Sequence, residues 1–374
     1  MKIETKALHS THFKDKNAAA VVPPLYLSTT YERDENYELP GGYLYTRAGN
    51  PNRQQLEHAL AALEGGAEAM AFASGQAATM TLLQCLKPGD HVLIPDDAYY
   101  GTPALLQELF IPWGLTFTKV DTTDLGAVKS AIRPETKLIW LETPSNPLLK
   151  ICDLAAVAQR VRQHNIISVC DNTWATPVLQ RPLELGCDVV MHSTTKYLGG
   201  HSDVLGGALI FKENSELATR ARQIQTLGGG VPSPFDCWLI ARGLKTLVVR
   251  VRQQAANAQR LAEYLEGHAA IERVYYPGLK SHSGYDIAQR QMSLSGGMFS
   301  VQVNGGKAEA LEFIRRLELF TAATSLGGVE SLIEHRASTE GEGTLTPQNL
   351  LRVSVGLEHA DDLIADLTQA LAGR

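Results

Sequence analysis

The sequence has little that would suit a membrane, a nucleic acid or secretion. No stretch approaches 18 consecutive apolar residues, and the polar start MKIETKALHS lacks the apolar core of a secretory signal. Lysine and arginine are scattered along a chain whose formal net charge is -6, which gives no reason to expect nucleic acid or an anionic membrane as a partner. We therefore expect a soluble cytoplasmic protein that binds neither.

Cysteine is also scarce, with five widely spaced residues and no CxxC pair. An odd number in this arrangement indicates neither a disulfide framework nor a zinc site, so we expect reduced, mostly buried thiols and no metal. Internal repeats and low-complexity tracts are absent as well. At 374 residues, the chain fits two domains, or one large domain with an appendage.

The periodicity of the sequence divides it into three predicted parts. Residues 1–52 alternate proline, glycine, tyrosine and charged residues without a sustained period, which predicts an irregular arm that must lie against something else. In residues 53–245, short apolar runs such as HVLIP, KLIWLE and IISVCD alternate with helical segments, which predicts an α/β domain with a mostly parallel sheet. Residues 246–374 mix strands and helices and predict a smaller α+β domain.

The loops that follow the apolar runs carry the candidate ligand-binding residues, because ligands of an open parallel sheet bind outside the carboxyl ends of its strands. Gly75 and Gln76 open a helix whose unpaired N–H groups suit a phosphate, although a plain turn gives the same pattern. Tyr99 offers a face on which a flat ligand could stack, or is simply a surface tyrosine. Asn146 equally fits a turn before proline.

Two charged residues at strand ends are the most informative. Asp171 closes the run IISVCD, and a carboxylate there needs a cationic or protonated partner unless it only caps a helix. Lys196 lies in MHSTTKYLGGHSD beside the hydroxyls of Ser193 and Thr195, where the alternative is a lysine that merely extends to solvent. A phosphate cradle, an aromatic face, a buried carboxylate and a lysine together match what pyridoxal phosphate requires.

Eight segments together resemble the Cys/Met-metabolism family of pyridoxal-phosphate enzymes, over nearly the whole chain from about residue 5. They are SGQAA, YYGT, ETPSNP, CDNTWATP, HSTTKYLGGHSD, PSPFDCWLIARGLKTL, SLGGVESLIEH and LLRVSVGLE. The resemblance implies an aspartate-aminotransferase-like fold, pyridoxal 5'-phosphate as cofactor and an amino-acid substrate that contains sulfur. It also implies chemistry at a C–S bond, as in cystathionine beta-lyase, cystathionine gamma-lyase, methionine gamma-lyase and cystathionine gamma-synthase.

The resemblance further implies a role for each matching residue. Lys196 would be the Schiff-base lysine, Asp171 the partner of the ring nitrogen, and Tyr99 a stacking residue that assists proton transfer. Backbone N–H groups and hydroxyls would bind the cofactor phosphate, from Gly75, Gln76, Ser193 and Thr195. Three polar residues would bind the substrate, with the arginine on the α-carboxylate: Asn146, Ser325 and Arg352.

The segment YTRAGNP indicates a function for the arm. It resembles the family segment that reaches into a neighbouring subunit and binds the cofactor phosphate there, which would make Tyr45 and Arg47 residues of the partner's site. The resemblance therefore implies an active site shared across a dimer, and a homotetramer built from two such dimers.

Two departures from the family pattern bear on the reaction. Thr324 stands where the synthase and gamma-lyase relatives commonly carry glutamate, and this favours beta-elimination of cystathionine over gamma-elimination and gamma-replacement. Many relatives have an M-T-H segment in the stretch that corresponds to residues 333–341, where this chain has His-Arg and then Glu-Gly. Arg336 could meet a distal substrate carboxylate, but we favour a surface pair with Glu334 or Glu340. An aminotransferase and a non-catalytic binding protein on the same fold are the remaining alternatives.

Overall fold

The computed structural model describes residues 1–11, 15, 18–341 and 346–372. Residues 12–14 and 16–17 of the predicted arm lie outside the described residues, as do residues 342–345 and 373–374 of the predicted C-terminal domain.

A seven-stranded sheet forms the larger part of the molecule. Its strands are β1 (Glu68–Phe72), β2 (His91–Pro95), β3 (Thr116–Val120), β4 (Thr136–Glu142), β5 (Ile167–Asp171), β6 (Val189–His192) and β7 (Gly207–Phe211). They lie in the order β1-β7-β6-β5-β4-β2-β3, and β7 runs antiparallel to both of its neighbours. The segment from 193 to 206 contains no helix, so the chain reverses directly into β7, whereas a parallel return would need a longer crossover. The prediction of a mostly parallel sheet is confirmed.

Helices connect and cover these strands. They are α1 (Ile3–His9), α2 (Pro51–Glu64), α3 (Gly75–Leu83), α4 (Gly101–Leu105), α5 (Ile111–Trp113), α6 (Leu125–Ala131), α7 (Leu154–Arg162), α8 (Thr176–Leu179), α9 (Glu216–Gly228) and α10 (Pro234–Leu244), with a π-helical turn at Leu106–Phe110. None of the described helices is both long enough and apolar enough to cross a membrane.

The ends of α2 follow from its sequence. Asn50 precedes the helix and its side chain accepts hydrogen bonds from the N–H groups of Asn52 and Arg53, while Pro51 occupies the first helical position. Gly65 adopts a left-handed conformation at the other end, which residues with a side chain rarely do. The helix therefore ends at the predicted glycine and begins slightly before the predicted residue 53.

The predicted arm is not wholly irregular, because α1 forms within it. Its Ala7 is buried, and Glu4 makes an ion pair with Arg252 of the C-terminal part. Seven residues are fewer than two helical turns, too short to show a clear period in the sequence. Between residues 18 and 50 the arm has one isolated bridge, Thr30 with Tyr45, and is otherwise without regular structure.

A second sheet follows. Its strands are β8 (Ile271–Tyr275), β9 (Met298–Val303), β10 (Thr321–Ala322), β11 (Leu332–His335) and β12 (Leu350–Ser354), in the order β10-β11-β12-β9-β8. Its helices are α11 (Leu247–Leu265), α12 (Tyr285–Gln291), α13 (Lys307–Arg316), α14 (Arg336–Glu340) and α15 (Ala360–Leu371). The helix α11 joins the two parts, because Leu247 and Val251 pack into the core under the first sheet and Leu261 and Leu265 into the core of the second.

Candidate active site

A cavity of about 300 Å³ lies where the carboxyl ends of the large sheet meet the second sheet. All but two of the predicted site residues line it: Gly75, Gln76, Tyr99, Asn146, Asp171, Ser193, Thr195, Lys196, Ser325 and Arg352. Tyr45 and Arg47 do not. A larger surface cleft of about 480 Å³ beside β8 contains none of the predicted residues, so the smaller cavity is the candidate site.

One side of the cavity is formed by the start of α3. Ser74 caps this helix by accepting a hydrogen bond from the N–H of Ala77, which leaves Gly75 and Gln76 in the first turn, where helical N–H groups have no partner within the helix. A Cβ atom on Gly75 would come within 3.1 Å of Ser193 Cβ and 3.2 Å of Met191 Cε. The absence of a side chain at Gly75 therefore keeps this wall open, as a phosphate cradle requires.

The two hydroxyl residues on this side differ in their bonding. Ser193 donates its backbone N–H to Thr173 Oγ1, and no hydrogen bond of its hydroxyl to another described residue is present. Thr195 Oγ1 donates to the carbonyl of Gly206 at 3.1 Å and accepts from the N–H of the same residue at 3.0 Å. The serine hydroxyl is thus available to an anion, whereas the threonine hydroxyl must first give up its bond to Gly206 before it can donate.

Asp171 ends β5 with its side chain partly buried in the cavity wall, and desolvation raises the pKa of its carboxyl group. Its Oδ1 accepts a hydrogen bond from the N–H of Thr173. Among the described residues, no lysine, arginine or histidine makes an ion pair with it. A partly desolvated carboxylate without a cationic partner fits a ligand that brings a protonated nitrogen.

Lys196 lies in a turn after β6 and faces the second sheet. Its Nζ donates to Ser325 Oγ at 2.7 Å, and burial together with the charge of Arg352 lowers the pKa of the amine to about 8. Ser325 holds its backbone at a φ of 80°, a conformation that residues with side chains adopt rarely and mostly at functional sites. The site therefore contains a lysine that is substantially more nucleophilic at neutral pH than a surface lysine.

Arg352 is buried, contacts Ser325 as Lys196 does, and is held by three groups. Its Nη1 donates to Asn146 Oδ1 at 3.2 Å, and its Nη2 donates to the carbonyl of Ser325 at 3.0 Å and to Glu334. Burial lowers the pKa of the guanidinium to about 10, so it stays charged at neutral pH. Arg352 therefore contacts both of the other predicted substrate-binding residues.

Tyr99 is oriented through its backbone. Its N–H donates to Glu142 Oε2 at 2.8 Å, and its ring lies 4.8 Å from that of Tyr100. Burial raises the pKa of the phenol to about 12, so the hydroxyl is protonated at neutral pH and can donate a hydrogen bond. The prediction of an aromatic face in the site agrees with its place on the cavity wall.

Sequence reasoning missed Glu142 and Glu334 as site residues, and both line the cavity. Glu142 ends the strand KLIWLE as Asp171 ends IISVCD, so the same signal was available for it. Glu334 had no such signal, because its position depends on the pairing of β11 with β12, in which it is the register partner of Arg352.

The prediction for Arg336 is half right. It does pair with Glu334 and Glu340, at 3.2 and 2.8 Å, but its side chain is only 3% exposed and lines the cavity instead of the surface. No periodic pattern indicates that this arginine is buried, because it follows a strand of only four residues. Thr324 also lines the cavity, beside Ser325.

Taken together, the cavity offers an open helix terminus, a free serine hydroxyl, an aromatic ring, a partly buried acid and a lysine with a lowered pKa. The helix terminus and the serine hydroxyl suit the phosphate of pyridoxal 5'-phosphate, and the aromatic side chain suits its ring. The acid suits the ring nitrogen and the lysine the aldehyde, in a cavity that also contains the substrate-binding arginine.

Comparison with known proteins agrees with this fit. A model of the Cys/Met metabolism PLP-dependent enzymes matches residues 4–372. The cystathionine gamma-synthase of Mycobacterium leprae is 48% identical over 375 residues, which cover 99% of this chain and 96% of that protein. The cystathionine beta-lyase of Coxiella burnetii is 45% identical over 381 residues, which cover 99% and 97%.

Solved structures also resemble this chain over its whole length. The structure of cystathionine gamma-lyase from Lactobacillus plantarum, complexed with L-serine, superposes with a TM-score of 0.94 at 40% identity and covers 100% of this chain and 99% of that one. The resemblance stated from the motifs is thereby confirmed, together with the fold. The chain belongs to the Cys/Met metabolism family of PLP-dependent enzymes, acts in transsulfuration and uses pyridoxal 5'-phosphate as its cofactor.

Proposed function

We propose that this enzyme cleaves the Cβ–S bond of L-cystathionine, giving homocysteine, pyruvate and ammonia. The proposal rests on which side chains form the cavity wall around Thr324. Of the acidic residues on the cavity wall, Glu142 and Asp171 lie at the ends of β4 and β5, and Glu334 is paired with two arginines. Within the described part of the cavity, no unpaired carboxylate stands beside Ser325 to bind a distal ammonium group, which disfavours gamma-specific binding.

The residues of the chain then have defined tasks. Arg352, steadied by Asn146, binds the α-carboxylate with the planar donor pair that suits this group. Asp171 would keep the ring nitrogen of the cofactor protonated, while the first turn of α3 and Ser193 would bind the phosphate. When bound, pyridoxal 5'-phosphate supplies an electron sink for the charge left at the substrate Cα.

Lys196 is the group that moves protons. Its lowered pKa leaves a useful fraction of the amine neutral near pH 7, and in that form Nζ accepts the proton from the substrate Cα. The resulting ammonium group is the source of a proton for the leaving sulfur at Cβ. Tyr99, with a phenol that stays protonated, would offer its ring to the cofactor and its hydroxyl as a hydrogen-bond donor in the cavity.

Product analysis tests the proposal. Purified enzyme with its cofactor is incubated with L-cystathionine, and the products are identified by mass spectrometry. Homocysteine with pyruvate supports beta-cleavage, whereas cysteine with 2-oxobutyrate means gamma-cleavage and contradicts the proposal.

The second candidate is gamma-replacement, in which cysteine takes the place of a leaving group on Cγ. It is favoured by the mycobacterial relatives, which are named cystathionine gamma-synthase and are 48% and 49% identical to this chain. Formation of cystathionine from cysteine and an activated homoserine, faster than its cleavage, would support this candidate over the first.

We also propose that the active enzyme is a homotetramer built from two dimers. Support comes from apolar side chains that are unusually exposed along the arm and near the end of α9, among them Val21 at 80%, Leu27 at 69% and Leu227 at 78%. Arg47 lies close to this surface, where its Nη1 donates to the carbonyl of Thr226. In this arrangement Tyr45 and Arg47 complete the neighbour's phosphate site.

The proposed compartment remains the cytoplasm, in keeping with five cysteines that are all described and all unpaired.

A further inference from the structure

Four buried or nearly buried charges form a chain beside the substrate-binding residues, in the order Arg352, Glu334, Arg336, Glu340. Arg352 and Arg336 both contact Glu334 Oε2, and Arg336 also contacts Glu334 Oε1 at 3.2 Å. Arg336 then donates to Glu340 Oε1 at 2.8 Å. The charges alternate and sum to zero, as burial demands.

The register of the second sheet explains the first of these contacts. Glu334 of β11 and Arg352 of β12 are directly opposite each other, so their side chains leave the same face of the sheet at close range. Without another cation, Glu334 would pair with Arg352 alone. The side chain meant for the substrate would then already be neutralised by a carboxylate of the protein.

Arg336 changes this balance, because its guanidinium donates hydrogen bonds to both carboxylate oxygens of Glu334. We propose that Arg336 is a positioning residue that shares Glu334 with Arg352, and so leaves Arg352 free to bind the α-carboxylate of the substrate. The inference rests on the proposed function only in that Arg352 is taken as the carboxylate-binding residue.

A second observation ties Arg336 to the cofactor side of the cavity. Its guanidinium lies 5.9 Å from the centre of the Tyr100 ring, within the range of a cation–π contact, and Tyr100 packs against Tyr99. Arg336 is also the first residue of α14, so Glu340 at the other end of this short helix is held at a fixed spacing from it. Contacts with Glu334, Glu340 and the ring of Tyr100 therefore fix the position of Arg336.

The test separates carboxylate binding from general damage. Binding of L-alanine and of L-alaninamide to the enzyme with its cofactor is measured by the change in cofactor absorbance. Arg336→Met should weaken L-alanine binding by roughly tenfold, the effect of one uncompensated charge that solvent partly screens, and leave L-alaninamide unchanged. Equal changes for the two ligands, or none, would overturn the proposal.

Second-site variants sharpen the test. In the Arg336→Met background, Glu334→Gln should restore most of the L-alanine affinity because it releases Arg352, whereas Glu340→Gln should not. If both restore it equally, local net charge alone is responsible and the sharing of Glu334 is wrong. Should Arg336→Met fail to fold, Arg336→Gln, which keeps hydrogen-bond donors but no charge, is measured in the same way.

Two controls complete the design. Arg222 also lies between two glutamates, Glu57 and Glu68, both at 2.9 Å, but outside the cavity, so Arg222→Met should leave both affinities unchanged. Arg352→Met should abolish the preference for L-alanine over its amide. If that preference survives, the role of Arg352 in the proposed function fails, and this result is distinct from a failure of Arg336 alone.

Discussion

Glu142 and Asp171 are register partners at the carboxyl ends of two adjacent parallel strands, and both line the site, Glu142 fully buried and Asp171 partly so. Burial raises the pKa of both, and the neighbouring charge of Asp171 raises that of Glu142 further. Two such groups side by side do not both ionise readily. Since Asp171 faces the proposed ring nitrogen, we infer that Glu142 is the one of the two that holds a proton more readily.

This assignment predicts opposite results for two amide substitutions. Glu142→Gln should keep activity within about threefold of wild type, because a protonated acid and an amide are similar in shape and both can accept from the Tyr99 N–H. Asp171→Asn should lower kcat by roughly two orders of magnitude, since the site loses the charge that stabilises the ring proton. Steady-state kinetics on L-cystathionine, with cofactor content measured for each variant, checks both. Equal loss in the two variants would show that Glu142 is ionised as well.

The open wall at Gly75 predicts a steric effect on cofactor binding. Gly75→Ala would place a methyl group 3.1 Å from Ser193 Cβ, and the resulting displacement should weaken cofactor affinity by roughly tenfold, about 1.4 kcal/mol. Gly306→Ala is the control, because Gly306 also lies at the start of a helix but its Cβ would meet only Glu309 Oε2, at 3.6 Å. Titration of the cofactor-free proteins measures both affinities. An unchanged affinity in Gly75→Ala would place the phosphate elsewhere.

The pKa of Lys196 predicts how cofactor uptake depends on pH. Only the neutral amine attacks an aldehyde, and with a pKa of about 8 roughly a tenth of Lys196 is neutral at pH 7, against about one part in 3000 for an ordinary lysine. The rate of uptake by the cofactor-free enzyme should therefore rise as the pH approaches 8 and level off above it. Because Arg352 contributes to the lowered pKa, Arg352→Met should move the break to higher pH. A rate in the unmodified protein that still climbs steeply at pH 10 would contradict the assignment.

The residues that could be predicted from the sequence are those whose position depends on local chain direction. Asp171 and Lys196 each follow a buried strand, and strands of one parallel sheet bring their carboxyl ends together whatever their order. The Gly75 turn was recognisable because a glycine before a helix has a local meaning.

The residues that escaped prediction depend on contacts between distant segments. Arg336 is buried only because β11 and β12 pair in one register and α14 follows at once, and none of this shows in a periodic pattern. Likewise α1 is stabilised by packing and by the pair of Glu4 with Arg252, so its seven residues carried no signal of their own.

The last prediction concerns sharing of the site between subunits. Lys196 lines the cavity of its own chain, whereas Arg47 does not, and the resemblance places Arg47 at the neighbour's phosphate. Arg47→Ala and Lys196→Ala should each impair the enzyme as homo-oligomers, the first through cofactor affinity and the second through loss of the covalent link, so that borohydride fixes no cofactor to the Lys196→Ala protein.

In a mixed dimer of these two variants, both defects fall on one site, because the Arg47→Ala subunit lends its altered arm to the partner without the lysine. The other site then has an intact lysine and receives an intact arginine. Co-refolded mixtures should therefore exceed the summed activity of the separate variants and approach half of the wild-type activity per mixed dimer. Mass spectrometry under native conditions confirms that mixed dimers have formed. If they have and activity does not recover, Arg47 serves its own subunit or only the surface, and the shared site is wrong.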